Sequence, residues 1–181
     1  VAAAGGVSTP KPTSTSATST RTTTTTTTSA QPGISRPRTI DLKGVDACQI
    51  LAKLPAEFGI QGLELHPDTS LGFPGNTECA VINRARAFTL GITPVTTFDG
   101  EQFAATGRGA IARITIAGFP AFTQNLGEGN PACFAGVSVA DGQMLYLQWL
   151  YNKSTGEPPT EVKCAEAAKA MTAAMAVLGA S

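Results

Sequence analysis

At 181 residues, with 13 lysines and arginines set against 13 aspartates and glutamates, the chain is long enough for one domain of ordinary size. The charge is unevenly placed: Lys11, Arg21, Arg36 and Arg38 all precede the first acid, Asp41, leaving the first forty residues at +4 and the remainder at −4. A mildly acidic domain without a Lys/Arg stripe argues against nucleic acid as a partner, and no run of eighteen apolar residues exists to span a membrane.

Residues 1–38 hold twelve threonines, six serines and four prolines but almost no large apolar side chain. Such a stretch cannot bury enough surface to offset the entropy of ordering. It is expected to be a disordered Ser/Thr/Pro-rich tether, followed by a single globular domain over 39–181. As a flexible coil, 38 residues reach roughly 35 Å on average, which suits holding a domain off a membrane or wall. The run Thr22 to Thr28 offers hydroxyls for O-glycosylation. Val1 to Gly6 are small residues of the kind found near an export cleavage site, although the charged start and apolar core of a leader are not in this chain.

The domain opens on a short apolar stretch, Ile40 and Leu42. Asp46, with Gln49 three residues later and Ile50, Leu51 and Leu54 at helical spacing, reads as the N-cap of a short helix. Pro55 restricts Leu54 away from the α region, so a separate helical turn from Pro55 to Phe58, closed by Gly59, is expected. Residues 62–77, with Pro67 and Pro74, read as loop. Cys79 to Ile82 are extended, Asn83 to Arg86 a turn, and Phe88, Leu90 and Ile92 alternate with Thr89, Gly91 and Thr93 as a strand. Residues 94–109 are ambiguous, with a helical turn around Glu101 to Ala105.

The densest signal follows. Ile111, Ile114, Ile116 and Phe119 lead into Phe122 as one extended segment. Cys133, Ala135, Val137 and Val139 then reach Asp141-Gly142, a dipeptide that favours the positive φ values of a two-residue hairpin turn, and Met144 to Tyr151 alternate beyond it. After Pro158-Pro159-Thr160, the residues Cys164, Ala167, Ala168, Met171, Met175 and Leu178 fall on one helical stripe ended by Gly179. These elements make an α+β domain: an antiparallel sheet of about five strands packed against the C-terminal helix and the short N-terminal helix.

Four cysteines, Cys48, Cys79, Cys133 and Cys164, form two pairs each separated by 31 residues. Two disulfides are expected. Spacing leaves three connectivities open; sequential pairing is favoured because each bridge then ties a helix to a neighbouring strand. Closing a loop of this size contributes about 3.5 kcal/mol by loop entropy. Zinc is disfavoured by the lack of a C-x-x-C pair and by the single histidine.

Candidate chemistry is sparse. Gly136-Val137-Ser138-Val139-Ala140 superficially matches a nucleophile elbow, but its valines and the following Asp141-Gly142 turn keep Ser138 inside a strand. His66 stands between Glu64 and Asp68, where Pro67 breaks the alternation a metal site needs. A cysteine nucleophile paired with His66 would require a thiol that the disulfides already use. Asn152-Lys153-Ser154 fits a glycosylation pattern that is frequent by chance. Trp149 and the tyrosines read as core rather than as a ligand stripe. No catalytic, metal-binding or cofactor-binding residue is assigned.

Asp46-Ala47-Cys48 followed by Leu51 and Pro55, the strand-opening Cys79, the string Ile114 to Ala121 with its Gly-Phe-Pro-Ala segment, Cys133 leading to Val139-Ala140-Asp141-Gly142-Gln143, and Cys164 with Ala168 resemble the actinobacterial lipoprotein family of domain of unknown function 3558. The likeness covers residues 39–178. It implies a secreted domain, lipid-anchored to the outer face of the cell membrane through a cysteine that this chain does not contain, with a Thr/Ser-rich spacer after the anchor. Ala47 departs from the family's usual proline, and Ala80-Val81 from its usual aromatic after Cys79. The family carries no activity to transfer. The expectation is therefore a monomeric, non-enzymatic envelope module binding a partner protein, a wall component or a small apolar ligand, with no cofactor. The alternatives are an enzyme acting on envelope material, for which converging carboxylates such as Asp99, Glu101 and Asp141 would speak, and a passive structural or sensor domain.

Overall fold

A computed structural model describes residues 35–69, 72–152 and 158–179. Most of the expected tether, its threonine run and Lys153-Ser154 of the glycosylation pattern lie outside them. Asp46 Oδ1 accepts from Cys48 N at 2.8 Å and Gln49 N at 3.3 Å, satisfying donors that helix α1 (Ala47–Ala52) leaves unpaired at its start. A 3-10 turn, Ala56–Phe58, follows Pro55 and is closed by Gly59 in the left-handed region. Strands β1 (Leu65–Asp68), β2 (Glu78–Asn83) and β3 (Phe88–Val95) come next, then helix α2 (Gly100–Thr106), strands β4 (Ala110–Ile116), β5 (Phe119–Asn125), β6 (Ala132–Ala140) and β7 (Gln143–Tyr151), and helix α3 (Thr160–Gly179).

The strands form one antiparallel sheet in the order β1-β2-β3-β7-β6-β5-β4. The expected antiparallel sheet is present, with seven strands among the described residues rather than about five, for two reasons. Residues 65–68, read as loop because of Pro67, form an edge strand, where a residue without an N–H is tolerated. Residues 111–122, read as one segment, are two strands joined at Ala117 and Gly118, with φ of 52° and 82°; an alanine at positive φ gives no turn signal in sequence. At the β6–β7 turn only Gly142 takes a positive φ. A register shift between Ser138 and Ala140 accommodates the difference.

Helices α1 and α3 cover one face of the sheet. Leu90, Ile92, Val137, Leu145 and Leu147 are fully buried against Leu51, Ala167, Ala170, Met171 and Ala174, the alanines letting α3 approach closely. Cys48–Cys79 ties α1 to β2 and Cys133–Cys164 ties β6 to α3, each with Cα atoms 5.1 Å apart. Lys163 also falls inside; it is 2 % exposed and its Nζ donates to Asn130 O at 2.7 Å. The other face carries a smaller cluster in which Phe73, Phe103, Phe122 and Tyr146 pack ring to ring, closed by α2. That helix has a full capping box, Asp99 with Gln102. Among the described residues no helix is long and apolar enough to cross a membrane.

Arg36, Pro37 and Arg38, which the sequence reading assigns to the tether, lie against the domain. Arg36 donates to Ser138 O at 3.1 Å and to Asp141 Oδ1 at 2.7 Å. Arg38 lies against Gly179 at the end of α3, where helix carbonyls favour a cation. Ile40 N donates to Val139 O and Leu42 N to the Gln143 side chain. The chain thus joins the domain at the β6–β7 turn.

Candidate ligand-binding cleft

The groups singled out in the sequence each have a separate structural task. Ser138 is 2 % exposed within β6, and its hydroxyl accepts from Gly100 N at 3.0 Å, fastening the start of α2 to the sheet. Asp99 caps α2, Glu101 pairs with Arg113 at 2.8 Å, and Asp141 pairs with Arg36; the three carboxylates serve different contacts. His66 is exposed on edge strand β1. Among the described residues no three His, Cys, Asp or Glu side chains come together to hold a metal. All four cysteines are in disulfides, and the Asn152 N–H donates to Ala87 O at 2.7 Å. Tyr146 lies in the second-face cluster, where burial and then the charge of Glu78 push its hydroxyl well above the usual tyrosine range.

At the end of the sheet opposite the β6–β7 turn, the helix face opens into a cleft of about 260 Å³. Its floor follows from strand alternation. Trp149 and Tyr151, two apart on β7, point to the helix side, and Phe88, paired with Tyr151 across the β3–β7 ladder, stacks on Trp149 at 4.5 Å. Phe58, from the 3-10 turn, meets Trp149 edge-on at 6.3 Å. The remaining lining is charged: Glu57 beside Phe58, Arg86 from the β2–β3 turn, and Glu166 and Lys169 three apart on α3.

Local geometry fixes these groups. Gly59 has φ of 65°, and a Cβ there would stand 2.9 Å from Arg86 Nη1. The absent side chain lets Arg86 reach in and donate to Glu57 O at 2.6 Å. Asn83 supports the arrangement from both sides, donating to Gly59 O at 2.7 Å and accepting from Arg86 N at 2.8 Å. Lys169 Nζ sits 3.4 Å from Glu57 and 5.6 Å from the Phe58 ring centre, a half-exposed pair whose ionic contribution is small.

The indole of Trp149 closes the floor: the residue is 4 % exposed and its Nε1 is buried. The Tyr151 hydroxyl is raised above its ordinary value by burial first and by the charge of Glu166 second, with a hydrogen bond from the Trp149 side chain acting in the opposite direction. Sequence reasoning found Trp149 and Tyr151 but assigned them to the core. It missed Glu57, Arg86, Glu166 and Lys169. The three-residue spacing of Glu166 and Lys169 places them on neighbouring turns of one helix, yet nothing in the sequence joins them to turns eighty residues or more upstream. The cleft is also smaller and more polar than the enclosed apolar pocket that would mark an apolar ligand.

Fold and cleft together define a disulfide-stapled α+β domain that joins its N-terminal segment at one end and opens a charged aromatic cleft at the other. The chain matches the family described as protein of unknown function (DUF3558) over residues 1–176, and it belongs to that family. No curated protein and no solved structure matches it.

Proposed function

We propose that this protein is a non-enzymatic cell-envelope module, exported and held by a lipid anchor as the resemblance to actinobacterial lipoproteins implies, that binds a small envelope component in the Trp149 cleft. The observation that carries the binding reading is an open cleft floored by Phe88, Trp149 and Tyr151 and rimmed by Arg86 and Glu166, two charges with no ion-pair partner among the described residues. An apolar, aromatic lining with a few placed polar groups is the usual build of a small-ligand site. Two disulfides in a chain of this size support an oxidising compartment outside the cytoplasm. Ser138, Asp99, Glu101, Asp141 and the four cysteines are engaged in a hydrogen bond, a cap, ion pairs and disulfides, which supports binding over catalysis at those groups. Strand β7 sets the cleft roughly 27 Å from the β6–β7 turn, taking eight steps of about 3.4 Å, so a domain tethered through Arg36 can present the cleft away from its anchor.

The test is to purify the protein from its native envelope and identify what it releases on denaturation by mass spectrometry. The chain has one tryptophan, so the released molecule, returned to stripped protein, is expected to change Trp149 emission saturably. Native protein that releases no small molecule and matches stripped protein in emission would overturn the binding reading. Four free thiols in the native material would overturn the extracytoplasmic one.

A further inference from the structure

We infer that the ligand of this cleft is a small zwitterion, an amino acid or short peptide offering one carboxylate and one ammonium group; the inference rests on the binding reading above and narrows it. Four ionisable side chains line the cleft, two acidic (Glu57, Glu166) and two basic (Arg86, Lys169), so its formal charge is zero. Glu57 and Lys169 satisfy each other. The remaining two do not. Arg86 spends Nη1 on a backbone carbonyl and has no carboxylate within ion-pair reach among the described residues, and Glu166 has no cation within reach there.

These two charges come from different elements, the β2–β3 turn and α3. Neither element closes on the other. A guanidinium presents a planar fork that matches a carboxylate in two parallel hydrogen bonds, and Glu166 offers an acceptor for an ammonium. Tyr151, beside Trp149 on the floor, adds a hydroxyl to the same lining. A simple anion such as phosphate would gain Arg86 but face Glu57 and Glu166. A neutral sugar would leave both unpaired charges unused. The volume, about 260 Å³, falls below the roughly 300–1,000 Å³ of drug-sized sites, which restricts the ligand to a few residues at most.

The experiment titrates the full chain with alanyl-alanine while following Trp149 emission. N-acetyl-alanyl-alanine, which lacks the ammonium, and alanyl-alaninamide, which lacks the carboxylate, are run beside it, together with N-acetylglucosamine and inorganic phosphate. Alanyl-alanine is expected to saturate, and each blocked peptide to bind at least about tenfold more weakly, the scale of one lost charge-assisted contact. Glu166→Gln is expected to remove the discrimination against alanyl-alanine's acetylated form. Arg86→Gln is expected to remove that against the amide, with Arg86→Lys restoring part of it and unchanged thermal unfolding showing that the turn is intact. Equal or tighter binding of N-acetylglucosamine or phosphate, or indifference of alanyl-alanine binding to both substitutions, would overturn the inference. If the native protein releases a molecule of another charge class, the zwitterion fails while the binding reading stands. If nothing is released and no probe alters Trp149, both fail.

Discussion

The two faces of the sheet are held by different means. On the helix face, a wide aliphatic core is crossed by both disulfides, so α1 and α3 are fixed covalently as well as by burial. On the opposite face a handful of aromatic rings close under α2, and that helix is fastened by the Ser138–Gly100 hydrogen bond and its own capping box. The second face also holds an unfavourable group. Glu78 is 6 % exposed, its Oε1 has no partner, and Oε2 reaches only Thr93 Oγ1 at 3.5 Å. It lies across Gly91, where a Cβ would stand 2.2 Å from Oε1. The covalent framework thus lies on one face and the buried carboxylate on the other, with the cleft at the open end of the stapled side.

The largest effect should come from the staple. Replacing Cys133 and Cys164 together by serine reopens a loop of 31 residues and is expected to cost about 3.5 kcal/mol, measured as a lower urea midpoint with a somewhat steeper slope, since the unfolded chain expands without the cross-link. A loss below about 1 kcal/mol would mean that burial alone fixes α3 and that the contrast between faces is overstated. Next in size is Ser138→Ala, which leaves Gly100 N buried without an acceptor and should cost about 1–3 kcal/mol. Amide exchange sharpens the comparison: protection should fall in α2 and not in α3, and an equal fall in both would show that the faces open as one unit.

The smallest effect tests Glu78, whose carboxyl is pushed above the ordinary glutamate range by burial first, then by the charge of Asp68, with Thr93 acting oppositely. Because its folded pKa is raised, the native state holds this proton more tightly than the unfolded chain. The stabilisation from that proton is fully present below the unfolded value and is lost as pH rises through the folded one. Glu78→Gln is expected to match the parent in thermal midpoint near pH 4 and to exceed it near pH 8. A lower midpoint at pH 8 would show that the carboxylate is stabilising there.

Much of the framework was legible because its signals are local. Asp46 before Ile50 and Leu51, Gly59 after Phe58, the alternation on either side of Asp141-Gly142 and the alanine-rich stripe before Gly179 each depend on neighbours a few residues away. The missed features depend on partners far along the chain. Pro67 hides β1 because its place at a sheet edge is a tertiary fact, Ala117 hides a turn because alanine rarely takes positive φ, and Lys163 is buried because Asn130 O is there to receive it. The same holds for the cleft, where Trp149 and Tyr151 stand out in composition but Glu57, Arg86, Glu166 and Lys169 are ordinary surface residues until the turns and α3 meet.

By itself the sequence determined the class of the domain, an antiparallel sheet with terminal helices, and the four cysteines to be joined, since periodicity, caps and counts are properties of short stretches. Tertiary structure settled the cysteine pairing that the sequence favoured among three, and it alone decided where the sheet's edges fall and that Arg86 and Glu166 line one cleft beside Trp149. Those outcomes turn on distances of a few ångströms between groups separated by tens of residues, and only the packed chain sets such distances.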